Sequence, residues 1–195
     1  MDKKITCFYL LSALLLQSGF ISAGVKLSVD PQTQLKGWKL NQAELELELI
    51  QRLPDQTRGF FLARGFSSAV ADDIANACVF QTIVRNKGSE VQGRPISISL
   101  KSWRIEHEGK LQPLKLKEDW NRQWSDLDVK PSAQLAFRWA TFPTEQTFYP
   151  VGDYNWGMIS FGLAPGKVFD LNLQWKIDNQ TYRATIKNIQ CTQDN

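Results

Sequence analysis

Between Phe169 and Ile177 apolar and polar residues alternate without a fault: Phe169, Leu171, Leu173, Trp175 and Ile177 against Asp170, Asn172, Gln174 and Lys176. Successive side chains of a strand point to opposite faces, so this period of two predicts a half-buried β-strand. Asp178-Asn179-Gln180 turns the chain, and Tyr182, Ala184 and Ile186 alternate on the way back, which predicts an antiparallel hairpin. Trp156 to Leu163 supplies a further strand ahead of Pro165-Gly166. The same period recurs at Leu45, Leu47 and Leu49, separated by Glu46 and Glu48. A helix competes there, because Asn41 with Glu44 reads as a capping box and Leu40 with Leu45 as a hydrophobic staple. The unbroken alternation, and Pro54 soon after it, favour the strand.

Lys26 to Val29 predicts a short edge strand, followed by turn signals at Asp30-Pro31 and Gly37-Trp38. The β-branched run Val79–Val84 predicts a strand that ends at Asn86-Lys87-Gly88. Ile96, Ile98 and Leu100 alternate with polar residues, and Trp103 and Ile105 continue the pattern after a bulge. Glu108-Gly109 reads as a hairpin turn into Leu111–Leu116, and Leu135, Phe137 and Trp139 alternate as a further strand. Helical signals are fewer. Asp55 reads as the cap of a helix through Phe60, Phe61 and Arg64 that stops at Gly65, and Ser67 as the cap of a second, from Ser68 to about Ala77. Trp120, Trp124 and Leu127 recur at helical spacing and predict a short amphipathic helix over about 118–126. These elements add up to a mainly β (α+β) fold. The expected form is an immunoglobulin-like antiparallel β-sandwich with a helical hairpin inserted after the first long strand, at about 55–78. No repeat, low-complexity tract or linker divides the chain, so residues 24–195 read as one domain.

The first two dozen residues add an address. Lys3 and Lys4 precede an apolar run from Ile5 to Leu16 and the small-residue exit Ser22-Ala23-Gly24, the layout of a cleaved secretory signal. The run is shorter than the roughly 20 apolar residues that a permanent anchor needs. Cutting after Ala23 removes 23 of 195 residues and leaves 172, a secreted or periplasmic chain without stable membrane insertion. Losing Lys3, Lys4 and Asp2 takes the net charge from +3 to +2, with the basic residues scattered, which argues against nucleic acid as a partner. Cys7 leaves with the signal. The two remaining cysteines, Cys78 and Cys191, are expected to pair in an oxidising compartment.

Little in the chain suggests catalysis. Its one histidine, His107, lies between Glu106 and Glu108 near a turn, where neighbouring strand residues point away from each other. No nucleophile-elbow glycine pattern, phosphate-binding glycine loop or clustered metal-ligand motif accompanies it, so no catalytic, cofactor or metal residues are assigned. The aspartate pairs Asp72/Asp73 and Asp126/Asp128 read as solvated faces rather than as a glycosidase couple. The richest constellation is Phe148-Tyr149-Pro150-Val151-Gly152-Asp153-Tyr154-Asn155-Trp156-Gly157. Tyrosine, tryptophan and asparagine on a bending segment are residues of recognition surfaces, although the plainer reading, in which Phe148 and Trp156 plug one end of a sandwich and Tyr149 and Tyr154 rest on them, is favoured. Arg58-Gly59-Phe60 and Arg64-Gly65-Phe66 repeat six residues apart, which is not a helical period; solvation on a helix surface is favoured over an anion site. Asn179-Gln180-Thr181 matches a glycosylation triplet on a turn, a weak signal.

The candidate binding surface is therefore Tyr149, Asp153, Tyr154, Asn155 and Trp156, with Arg58 and Arg64 from the helical hairpin. The expected function is a non-enzymatic exported binding or accessory module that contacts another exported protein. A glycan-binding module using Tyr149, Tyr154 and Trp156 is the alternative, and an enzyme of unrecognised type a lesser one.

Overall fold

The computed structural model describes residues 24–194. The secretory-signal expectation falls on residues 1–23 and lies outside them. Five strands form one antiparallel sheet, here sheet A: β1 (Gly24–Val29), β2 (Lys36–Gln42), β3 (Leu45–Gln51), β4 (Val79–Asn86) and β9 (Tyr154–Ser160), in the order β1-β2-β3-β4-β9. Leu45, Leu47 and Leu49 are buried while Glu46 and Glu48 face the other side, as the alternation predicts. The competing cap signal around Asn41–Glu44 is a turn instead: Ala43 and Glu44 both take positive φ, 41° and 55°, and reverse the chain between β2 and β3.

Six strands build sheet B: β5 (Ile96–Ser99), β6 (Arg104–His107), β7 (Lys110–Pro113), β8 (Glu145–Phe148), β10 (Val168–Ile177) and β11 (Gln180–Gln190). β10, the segment with the cleanest alternation, is its spine. β11 runs along one edge, and β5 and β6 lie end to end along the other, with Ile98 opposite Trp175 and Ile105 opposite Leu171. The bulge expected between Leu100 and Trp103 is a 3-10 turn, Leu100–Ser102, that separates β5 from β6. The two sheets share one core, in which Leu40, Leu47, Leu49, Phe80 and Ile159 meet Trp103, Leu171, Leu173, Trp175 and Ile186. The described residues are thus mainly β, with two antiparallel sheets and four α-helices. Cys78, just before β4, is bonded to Cys191, just after β11.

α1 (Pro54–Leu62) and α2 (Ser68–Ala75) follow β3 as expected. Ser67 caps α2 through its Oγ, which accepts from the Val70 N–H at 3.4 Å, and Gly65 takes the left-handed conformation with φ 87°. Asp55 does not cap α1. Leu53 holds that position, and Asp55 sits in the first turn, paired with Arg58.

A second helical pair departs further from expectation. α3 (Lys117–Gln123) lies where Trp120 and Trp124 place it, and both indoles are buried, but Leu127 is exposed. α4 (Pro131–Ala140) replaces the strand expected at Leu135–Trp139. Pro131 at the first helical turn pre-sets the backbone, and the buried stripe is Ala133 with Phe137, four residues apart. Apolar Ala136 between Leu135 and Phe137 breaks the strict alternation, so that pattern did not outweigh these signals. All four helices pack on the outer face of sheet A over a second core. There Phe61, Phe66, Ile74, Trp120, Trp124 and Phe137 cover Val79 and Met158. Phe137 is its centre, with ring centroids 4.8 Å from Trp124 and 5.4 Å from Phe61.

Candidate functional site

Where the helical layer ends, the outer face of sheet A is left open. Alternation along β9 puts Tyr154, Trp156 and Met158 on this face, opposite Arg85, Ile83 and Gln81 of β4. Met158 is covered by the helices, but Trp156 is 59% exposed and Tyr154 is 54% exposed. On α4, burying Ala133 and Phe137 turns Trp139 outward, where it is 80% exposed. Trp139 and Trp156 line one groove of about 320 Å³, together with Arg52, Phe60, Arg64 and Gln81.

Phe60 organises the cations of this groove. The Arg64 guanidinium lies 3.3 Å from the centre of its ring and donates to the Phe60 carbonyl at 2.9 Å. Arg52, between β3 and α1, reaches the same ring at 5.9 Å. Its Nε is buried with no hydrogen-bond partner among the described residues, and burial holds its pKa below the ordinary arginine value. Neither arginine forms a salt bridge among the described residues. Arg58, on the same helix as Phe60, contrasts with both: it is tied to Asp55 and Asp72 and lies 3.8 Å from Asp194. Arg58 therefore belongs to an ionic cluster that fastens α1, α2 and the C-terminal segment, away from the groove.

The aromatic loop crosses from sheet B to sheet A, joining β8 to β9. Tyr149 N–H donates to the Asp153 carboxylate at 2.9 Å and closes the turn. Asn86, fully buried at the end of β4, holds the loop from beneath. Its amide donates to the carbonyls of Phe148 (3.0 Å) and Arg94 (2.8 Å) and accepts from Gly88 N–H (2.8 Å). Its backbone N–H and C=O bond to Asp153 and Gly152. Phe148 does plug the core, whereas Trp156 does not. Arg85 stacks over Tyr154 at 4.6 Å.

Of the residues singled out from the sequence, Arg64 and Trp156 meet in the groove and Tyr154 lies beside it. Tyr149 and Asp153 form the loop. Asn155 points to the opposite side of β9 and bonds Gln146 at 2.6 Å, and Arg58 is elsewhere. Sequence reasoning missed Trp139, Arg52, Phe60 and Asn86. Pro131 was the available signal for the first, since a helix starting there would have turned Trp139 away from Phe137.

His107 is more engaged than its position suggested. Its Nδ1 lies 2.8 Å from the Val168 carbonyl, and Nε2 lies 3.3 Å from the Glu108 carboxylate. Positive φ at Glu108 (51°) turns that residue back toward the ring, which strand alternation would forbid. Among the described residues no group of three His, Cys, Asp or Glu side chains could hold a metal, and no helix is long and apolar enough to cross a membrane. No protein-family model, curated protein or solved structure matches the chain.

Proposed function

We propose that the protein is an exported, non-enzymatic binding module that engages another exported protein at the Trp139–Trp156 groove. The observation that carries this reading is the exposure of two indoles on either side of one cavity, 80% and 59%, in a chain whose other tryptophans include four that are almost fully buried. Large aromatic surfaces left in water beside arginines are the composition of interface hot spots. The Cys78–Cys191 bond supports export, because such bonds persist in oxidising compartments. The paired antiparallel sheets support an immunoglobulin-like frame, which would act as a rigid stand for the groove.

Retention from an exported-protein extract tests the reading. The immobilised wild-type chain is expected to hold a partner under mild wash, and W139A/W156A to lose it. Equal retention by both would move the site elsewhere, and no retention by the wild type would refute the function. A glycan reading is favoured by one observation: Trp156 and Tyr154 present exposed aromatic faces on adjacent outward positions of β9, as sugar rings require. Tryptophan fluorescence that stays flat across cell-wall and plant polysaccharides would remove it.

A further inference from the structure

Resting on the protein-binding reading above, we infer that the groove takes an acidic peptide segment, a carboxylate side chain meeting Arg52 and Arg64 while a neighbouring apolar side chain enters between Trp139 and Trp156. Three features point to a missing anion. Arg52 and Arg64 both reach one ring, Phe60, at 5.9 Å and 3.3 Å from its centre, and both line the groove, so two guanidiniums border it. Like charges so placed repel, and no carboxylate of the described residues bridges them. Arg58, on the helix that carries Phe60, shows how this chain satisfies a cation it intends to keep closed, with Asp55, Asp72 and Asp194 around it. Finally, the Arg52 Nε–H is buried and unpaired among the described residues, so this guanidinium is already partly desolvated and gains more from a carboxylate at its open end. Charge-assisted bonds from guanidinium forks to a carboxylate are the natural completion of such a site.

The lining selects peptide over acidic sugar. Among the described residues, the polar groups lining the groove are the two arginines, Gln81 and the indole N–H groups, while Ala136, Ala140 and Met158 complete the wall. A sugar ring would press several hydroxyls against these apolar groups with no partner, which is costly. An apolar side chain loses nothing there. A volume of about 320 Å³ lies at the lower end of small-ligand pockets, enough for one or two side chains.

Selection of a phage-displayed random 12-residue library on the oxidised wild-type chain tests the inference. Enriched sequences are expected to carry Asp or Glu near Phe, Trp or Leu, and the acidic bias is expected to vanish on R52Q/R64Q. A selected peptide should bind R64Q about tenfold more weakly or worse, read by tryptophan fluorescence. Arg64 is exposed, so R64Q carries the test should R52Q lower the melting temperature. Enriched peptides without acidic bias, or a bias that survives R52Q/R64Q, would overturn the inference. So would peptides indifferent to W139A, or galacturonate oligomers that bind more tightly than any selected peptide. In each of these cases the protein-binding reading still stands or falls separately, on whether W139A/W156A loses the partner retained from extract.

Discussion

Reducing the Cys78–Cys191 bond should cost a third or more of this protein's stability, and the size of the loss follows from its place in the chain. The bonded residues are 113 apart in sequence. Loop-closure entropy for a ring of that length amounts to about 5 kcal/mol at 25 °C, withdrawn from the unfolded state by the cross-link. Whole domains are stable by only about 5–15 kcal/mol, so the bond stands for a third or more of the total. Comparing oxidised with reduced wild type, rather than with a substituted chain, keeps both sulfurs in their buried sites and isolates the connection itself. Urea unfolding followed by tryptophan fluorescence is the assay. With a slope of about 2 kcal/mol per molar, the midpoint should fall by about 2.5 M, or the reduced chain should already be unfolded in buffer. A reduced protein that loses less than about 1 kcal/mol would refute the reasoning. It would mean either that the unfolded chain is already constrained near these positions or that the bond opposes the native geometry.

Asn86→Ala should destabilise by about 3 kcal/mol, because it strands the Phe148 and Arg94 carbonyls and the Gly88 N–H at a buried site. Hydrogen exchange should accelerate over residues 148–153, and unchanged protection there would show that the loop holds itself. Thr82→Val should stabilise by about 1 kcal/mol, since the Thr82 hydroxyl is buried without a partner among the described residues and valine keeps its shape. A lower melting temperature for this variant would show that the hydroxyl is satisfied. The Asp30 carboxylate accepts from Thr33 N–H, Thr33 O–H and Gln32 N–H, and these bonds hold its pKa below the ordinary aspartate range. Its contribution to stability is therefore complete above an unfolded value of about 3.9 and is lost as pH falls through the folded one. Carboxyl NMR should report that lowered value, and D30A should flatten the acid limb of the stability curve.

Strands were legible where apolar residues alternated strictly with polar ones. The nine residues from Phe169 to Ile177 and the five from Leu45 to Leu49 are strands, and both turn the apolar set inward. The alternation at Leu135–Trp139 spans the same five positions as Leu45–Leu49 but carries apolar Ala136 where a polar residue would stand, and Pro131 and Ala133 reveal that the helical period holds. That error hid Trp139. The groove itself was illegible for a different reason. Arg52, Phe60, Arg64, Trp139 and Trp156 come from a β–α junction, two helices, the turn after α1 and a strand, and only the docking of the helical layer on sheet A assembles them. Trp156 was visible as an aromatic on a bending segment, but its outward direction depended on strand phase. In the same way Asn155, one residue earlier, faces Gln146. The Cys78–Cys191 pairing needed no geometry, since only two cysteines remained to join.

The arrangement of β10 has a consequence for how the chain matures. β5 and β6 have partners in β8 and β7, but what unites these two pairs into one sheet is the edge of β10 that both share. Until residues 168–177 have been synthesised, the β5–β8 and β6–β7 pairs have no shared strand to join them, and the core lacks Phe169, Leu171, Leu173, Trp175 and Ile177. Completion falls to a late hairpin whose two strands are neighbours in sequence and can close quickly on their own. A nascent polypeptide lacking that hairpin is then a poor folder, open and adhesive, and truncation ahead of Val168 should yield inclusion bodies rather than a smaller soluble protein.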